Sequence, residues 1–145
     1  MTIGVDSSLI VAAVHVNHPR HAVAAGWLIR SIGKHQLVAA QHAVLEAYAV
    51  LTRLPGELRV TPSEARDLLT GTVKANMAVA EKPEGIWGIL EKLVDASVVG
   101  GRSYDALILL TLQAFGIEAL ATLNPSHFRD LGPGLQIIDP RVSQD

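Results

Sequence analysis

Short apolar runs alternate along the chain with longer stretches in which apolar residues recur every three or four positions. The short runs read as buried strands and the longer ones as helices. Residues 3–5, led in by Met1 and Thr2, form the first run and stop at Asp6-Ser7-Ser8. Residues 9–16 then read as an apolar helix, with Asp6 or Ser7 placed to cap it. A second helix over 20–32 begins behind Pro19 and ends at Gly33. Gln36–Ala40 is a candidate strand, followed by a helix over 41–54 and a break at Pro55-Gly56. Thr61-Pro62-Ser63-Glu64 is the clearest helix start: a capping hydroxyl, proline at the first helical position and glutamate three residues after the cap. Residues 76–80 are a third candidate strand. A helix over 83–96 carries Ile86, Ile89, Leu90 and Leu93 on one face, and 97–102 is a glycine-containing loop. Ser103 is placed to cap a helix running to Phe115 and closed by Gly116. Residues 117–123 read as a buried strand, Asn124-Pro125 as a turn, and Gln136–Ile138 as a last strand.

Strands alternating with helices predict an α/β fold, with a mostly parallel sheet covered on both faces. No repeat, linker or low-complexity tract interrupts the pattern, so residues 1–145 read as one domain. Composition narrows the function classes. With 49% hydrophobic and 18% charged residues, general disorder is excluded. A net charge of −2, from 12 basic and 14 acidic residues, excludes a broadly basic shell held on nucleic acid by charge alone. The absence of cysteine removes disulfides, a thiolate nucleophile and sulfur-ligated zinc. The longest apolar runs, 9–14 and 106–110, fall far short of the roughly 20 residues that span a bilayer. The N-terminal stretch has no leading positive charge and carries Asp6 where an export signal is apolar, so a soluble cytoplasmic protein is expected.

In such a sheet, ligands bind beyond the carboxyl ends of the strands, so acids at strand ends and helix starts are the candidates for chemistry. Asp6 follows the first strand directly, although aspartate there also serves as a helix cap. Glu46 is the only charge in the stretch Ala43-Val44-Leu45-Glu46-Ala47-Tyr48-Ala49-Val50-Leu51, on a helix expected to be largely buried. A buried carboxylate needs a partner, which a bound cation, an exposed strip or a salt bridge to Arg53 would each provide. Asp105 stands in the first turn of a helix, where it also complements the helix dipole. Asn124 lies just past a strand and is equally a turn residue before proline. Carboxylates from three distant segments, gathered at one rim, repel one another unless a cation is present. Magnesium takes oxygen ligands and keeps several waters, which suits a few carboxylates on an open cleft. The six histidines are scattered, with His15, His18 and His21 split by the break over 17–19, which argues against a histidine metal site.

Together these segments resemble the PIN-domain family, in particular the VapC-type toxin ribonucleases of type II toxin–antitoxin systems. The resemblance rests on Val5-Asp6-Ser7-Ser8-Leu9-Ile10, Leu45-Glu46-Ala47, Gly100-Gly101-Arg102-Ser103-Tyr104-Asp105-Ala106-Leu107-Ile108 and Ala121-Thr122-Leu123-Asn124-Pro125-Ser126-His127-Phe128. It runs over nearly the whole chain, and the Gly-Gly-Arg-x-Tyr-Asp-Ala stretch in combination with the others gives it its specificity. The resemblance implies a PIN-like three-layer α/β/α sandwich and an Mg²⁺- or Mn²⁺-dependent endoribonuclease that hydrolyses RNA phosphodiester bonds. It matches Asp6, Glu46 and Asp105 to the family's metal-binding acids, with Asp6 and Asp105 foremost as direct ligands and Glu46 also positioning or deprotonating the attacking water. Thr122 matches a hydroxyl position near the site. Asn124 stands where a fourth aspartate is common, which removes one charge and bears on whether a second metal is held. Thr122 and Asn124 are then expected to orient ligands or water. A homodimer, an RNA substrate and a cognate antitoxin laid over the cleft are implied as partners.

Arg20, Arg30, Lys34, Arg53, Arg59, Lys74, Arg102 and Arg129 are candidate RNA contacts, with Arg102 and Arg129 near the site in sequence. Aromatic residues at 4% argue against an extended base-stacking platform. The apolar stretches over 9–14 and 45–51 fit either a partner groove or core packing. A non-catalytic PIN-like module binding RNA or protein is the alternative, favoured by Asn124. A haloacid-dehalogenase-type phosphatase would need a second aspartate where Ser8 stands. A nucleotide-binding flavodoxin-like module would need a glycine-rich loop that Asp6-Ser7-Ser8-Leu9 lacks.

Overall fold

The computed structural model describes residues 1–82 and 85–142. Five strands, Thr2–Val5 (β1), Gln36–Ala40 (β2), Ala78–Ala80 (β3), Ala119–Ala121 (β4) and Gln136–Ile138 (β5), pair in the order β3-β2-β1-β4-β5. Every pairing is parallel. Six α-helices accompany them among the described residues: Ser7–Val14 (α1), His21–Ser31 (α2), Gln41–Arg53 (α3), Pro62–Leu69 (α4), Ile86–Asp95 (α5) and Arg102–Phe115 (α6). None is long and apolar enough to cross a membrane.

Side chains alternate across the sheet and build two cores. Ile3, Val5, Leu37, Ala39, Ala119 and Ala121 join a cluster completed by α1, α2, α3 and α4. Val38, Ala40 and Leu120 face the other way, onto Ile108, Leu109 and Leu112 of α6 and onto Phe128. The result is the expected α/β/α sandwich, with a sheet that is parallel throughout.

Gly4 stands level with Val38 and Leu120, on the face that α6 covers. A Cβ there would lie 2.8 Å from Leu112 Cδ1 and 3.3 Å from Ile117 Cδ1, so glycine is what allows α6 this close to β1.

The helix starting at Pro62 has the expected cap, Thr61 Oγ1 accepting the Glu64 N–H at 3.3 Å. Gly116 closes α6 with φ of 102°, also as expected. Other expectations need correction. Ser103 is not the cap of α6, which begins at Arg102 with Gly101 at its N-cap and no side-chain bond there. The strand expected over 117–123 is confined to Ala119–Ala121, and that over 76–80 to Ala78–Ala80. Of the helix expected over 83–96, positions 83 and 84 lie outside the described residues. The helix α3 is not largely buried: only Ala43, Ala47 and Leu51 are, while Leu45 is 63% exposed, because α3 packs along a single stripe.

The chain leaves β1 toward β2 and β3 on one side and later places β4 and β5 on the other. The order therefore reverses between β1 and β4, and a crevice opens at the carboxyl ends of those two neighbours. Replacing Gly4 by alanine is expected to destabilise the fold by about 1–3 kcal/mol through overpacking against Leu112. Urea unfolding should show a lower midpoint at an unchanged slope.

Candidate functional site

The backbone ladder runs past the end of β1, the Asp6 N–H donating to the Ala121 carbonyl at 3.0 Å. This holds Asp6 directly beside Thr122, the residue that follows β4. Asp6 is 4% exposed and Thr122 fully buried. Thr122 Oγ1 donates to Asp6 Oδ2 at 2.8 Å, and Ser8 Oγ donates to the same oxygen at 2.9 Å. Each hydroxyl in turn accepts a backbone N–H: Asn124 N reaches Thr122 Oγ1 at 2.9 Å, and Leu123 N reaches Ser8 Oγ at 3.1 Å. A hydroxyl has one proton to give, so accepting from the backbone turns that proton toward Asp6. Asp6 occupies the N-cap position of α1 but makes no side-chain cap bond; its carboxylate is engaged across the sheet instead.

Asp6 Oδ1 is held more loosely, with Ser7 Oγ at 3.4 Å. The Ser7 hydroxyl lies much nearer Glu46 Oε1, at 2.5 Å, which claims its single proton. Glu46, on the second turn of α3, is about one-third exposed, and its Oε2 lies 3.9 Å from His42 Nε2 one turn earlier. Asp105, in the first turn of α6, has Oδ2 3.6 Å from His127 Nδ1.

Burial pushes the Asp6 carboxyl above its ordinary range and the Glu46 charge adds to this, while the Thr122 and Ser8 hydrogen bonds pull it back. Asp105 is pushed up by burial, then by the charges of Asp6 and Glu46, with His127 and Arg102 opposing. The three acids expected from the sequence therefore act on one another at one rim of the sheet. They do not close into a cage: among the described residues no three histidine or acidic side chains converge as ready-made ligands. Their donor atoms are carboxylate oxygens alone, so the residues that could hold a metal, Asp6 through Oδ1 and Asp105, would suit a hard divalent cation that keeps most of its waters.

A cleft of about 320 Å³ is lined by Ser7, Ser8, His18, Arg20, Glu46 and Asn124 among others; of the three acids Glu46 borders it, while Asp6 and Asp105 are not part of its wall. Asn124 is exposed at its rim, and its backbone rather than its side chain holds Thr122. Of the expected cations, Arg20 borders the cleft and Arg102 bears on Asp105. Ser7, Ser8, His42 and His127 are not among the site residues expected from the sequence, where Ser7 and Ser8 read as helix caps and the histidines as scattered. The spacing of His42 four residues before Glu46 placed it on the same helical face and was the available signal; His127 offered none.

Because Asp105 has a raised pKa in the folded state, stability is greatest below its unfolded pKa and falls as pH rises through the folded value. Asp105→Asn should therefore raise the melting temperature at pH 7.5, by about 2–4 °C for each kcal/mol of repulsion relieved. The gain should vanish below about pH 3.8 in a calorimetric series.

No family model matches the chain. Ribonuclease VapC40 of Mycobacterium tuberculosis is 33% identical over 115 residues, covering 79% of this chain and 81% of the relative. Among solved structures, M. tuberculosis VapC20, described as a sarcin–ricin loop cleaving toxin, aligns with a TM-score of 0.63 at 19% identity, over 81% of this chain and 86% of that one. VapBC2 from Rickettsia felis, bound to a DNA fragment from its promoter, aligns with a TM-score of 0.64 at 14% identity, over 96% and 98%. At such identities the two structures carry the fold, and the closer relative carries the kinship. The chain belongs to the VapC ribonuclease family of PIN-domain proteins.

Proposed function

We propose that this protein is a divalent-metal-dependent endoribonuclease, the toxin of a toxin–antitoxin pair, acting in the cytoplasm. The observation that carries the reading is the Thr122–Asp6 hydrogen bond at the β1/β4 crevice, which fixes one carboxylate within the field of Glu46 and Asp105. In this reading Asp6, through Oδ1, and Asp105 hold Mg²⁺ or Mn²⁺. The ion, when bound, lowers the pKa of water and offsets charge building on the phosphate. Ser8 and Thr122 keep Asp6 Oδ2 occupied and its plane fixed. Glu46, anchored through Oε1 by Ser7, turns Oε2 outward to take a proton from the attacking water. Arg20 and the Asn124 amide, both on the cleft wall, meet the substrate phosphates.

Two surfaces support the partners. An apolar groove of about 770 Å³, lined by Val44, Leu45, Tyr48, Leu69 and Val79, would take an antitoxin segment. The antitoxin complex of VapBC2 is the precedent among structural neighbours. On α5, Ile86, Trp87, Leu90 and Val94 are exposed and would pair with a second copy.

One observation favours a non-catalytic binding module instead: the rim position that the family resemblance matches to an aspartate is the neutral, exposed Asn124. Purified protein incubated with total bacterial RNA separates the two readings. RNA should be cleaved with Mg²⁺ or Mn²⁺ and not in EDTA, and Asp6→Ala or Asp105→Ala should lower the rate by at least about 100-fold. Cleavage unchanged in both variants would assign it to a contaminant.

A further inference from the structure

The His42 and Tyr104 rings lie 5.4 Å apart between centroids with their planes 4° from parallel, a stacked pair joining α3 to α6. Each ring belongs to the acidic rim. His42 is one turn before Glu46 and faces it, while Tyr104 immediately precedes Asp105. Tyr104 is 56% exposed, so the pair is not a core contact. Beyond His42 a second hollow of about 330 Å³ is lined by Gln41, His42, Leu45, Lys82, Leu107 and Thr111. The Thr111 hydroxyl is committed to the Leu107 carbonyl at 2.7 Å, which leaves the Gln41 amide, the His42 imidazole and the Lys82 ammonium as the hollow's other polar side-chain groups.

We infer that the His42–Tyr104 pair is a nucleobase subsite, on which one unpaired base of the RNA stacks so that its phosphate reaches the Asp6–Glu46–Asp105 rim. This deepens the nuclease reading and rests on it. Unpaired bases are held by stacking on aromatic faces, and any base offers a face to stack. Tyr104 already stacks on His42 and is more than half exposed, so a base that stacks on its free surface continues an existing stack rather than starting one. The adjoining hollow supplies a cation for the next phosphate and an amide for a base edge, which is nucleotide chemistry rather than that of an apolar peptide. With so few aromatic residues in the chain no long platform can form, but one base needs only this pair. His42 is thereby a wall of the subsite, 3.9 Å from Glu46 at the rim.

The test uses total bacterial RNA containing 4-thiouridine, with the full chain and its Tyr104→Leu and Tyr104→Trp variants, each checked for an unchanged melting temperature. In EDTA, photo-crosslinking of the wild type should yield an RNA-bearing peptide that contains Tyr104. In Mg²⁺, Tyr104→Leu should raise KM for cleavage about 5- to 100-fold, the range corresponding to one lost base stack, with kcat changed less than threefold. Tyr104→Trp should keep KM within twofold. Crosslinks only outside residues 41–46 and 102–106, an unchanged KM in Tyr104→Leu, or a loss confined to kcat would overturn the subsite while leaving the nuclease reading intact. Wild-type protein that neither crosslinks nor cleaves overturns both.

Discussion

A carboxylate withdrawn almost wholly from water needs donors that replace part of its lost hydration, and Asp6 shows how the fold supplies them. Two hydroxyls, from the start of α1 and the end of β4, converge on a single oxygen. Both are oriented by backbone N–H groups of the turn after β4. The arrangement exists because β1 and β4 are neighbours whose connections run in opposite directions, so their ends meet with no helix between them. Gly4 belongs to the same constraint, since it lets α6 settle close against β1 and so helps bring Asp105 to the same rim.

Satisfying one oxygen leaves the other for chemistry. Oδ1 of Asp6 faces a region where Glu46 and Asp105 add negative charge, and burial raises the carboxyls of Asp6 and Asp105 further. Around these groups Ser7 donates to Glu46, while His42 lies 3.9 Å from Glu46 and His127 3.6 Å from Asp105. A site of this kind sacrifices stability for readiness, and a divalent ion that stabilises the fold is the natural counterpart.

Much of this was legible in the chain. The strand-and-helix alternation, the Thr61 cap, the closure at Gly116 and the placement of Asp6, Glu46 and Asp105 at one rim of the sheet follow from local pattern, while Thr122 comes from the family resemblance alone. What the pattern hid are features set by tertiary position. Glu46 reads as a charge on a buried helix, yet α3 buries only a narrow stripe and turns Glu46 to the cleft. Ser103 has the chemistry of a cap, but the helix starts one residue earlier, after two glycines. Ser7 and Ser8 also look like caps, because which acceptor a hydroxyl serves depends on Asp6 and Glu46 being brought beside it. His127 meets Asp105 only through the turn after β4, a contact between residues 22 apart for which no sequence rule exists.

The central claim is that Asp6, just past β1, and Asp105 of α6 hold one divalent ion at the crevice, with Glu46 of α3 beside it. A crystal of the protein soaked in Mn²⁺, with anomalous diffraction recorded at the manganese edge, measures this directly. A peak between Asp6 Oδ1 and the Asp105 carboxylate, with Glu46 beyond it, is the expected result. Manganese bound elsewhere, or no peak between these acids in protein that still cuts RNA, would contradict it.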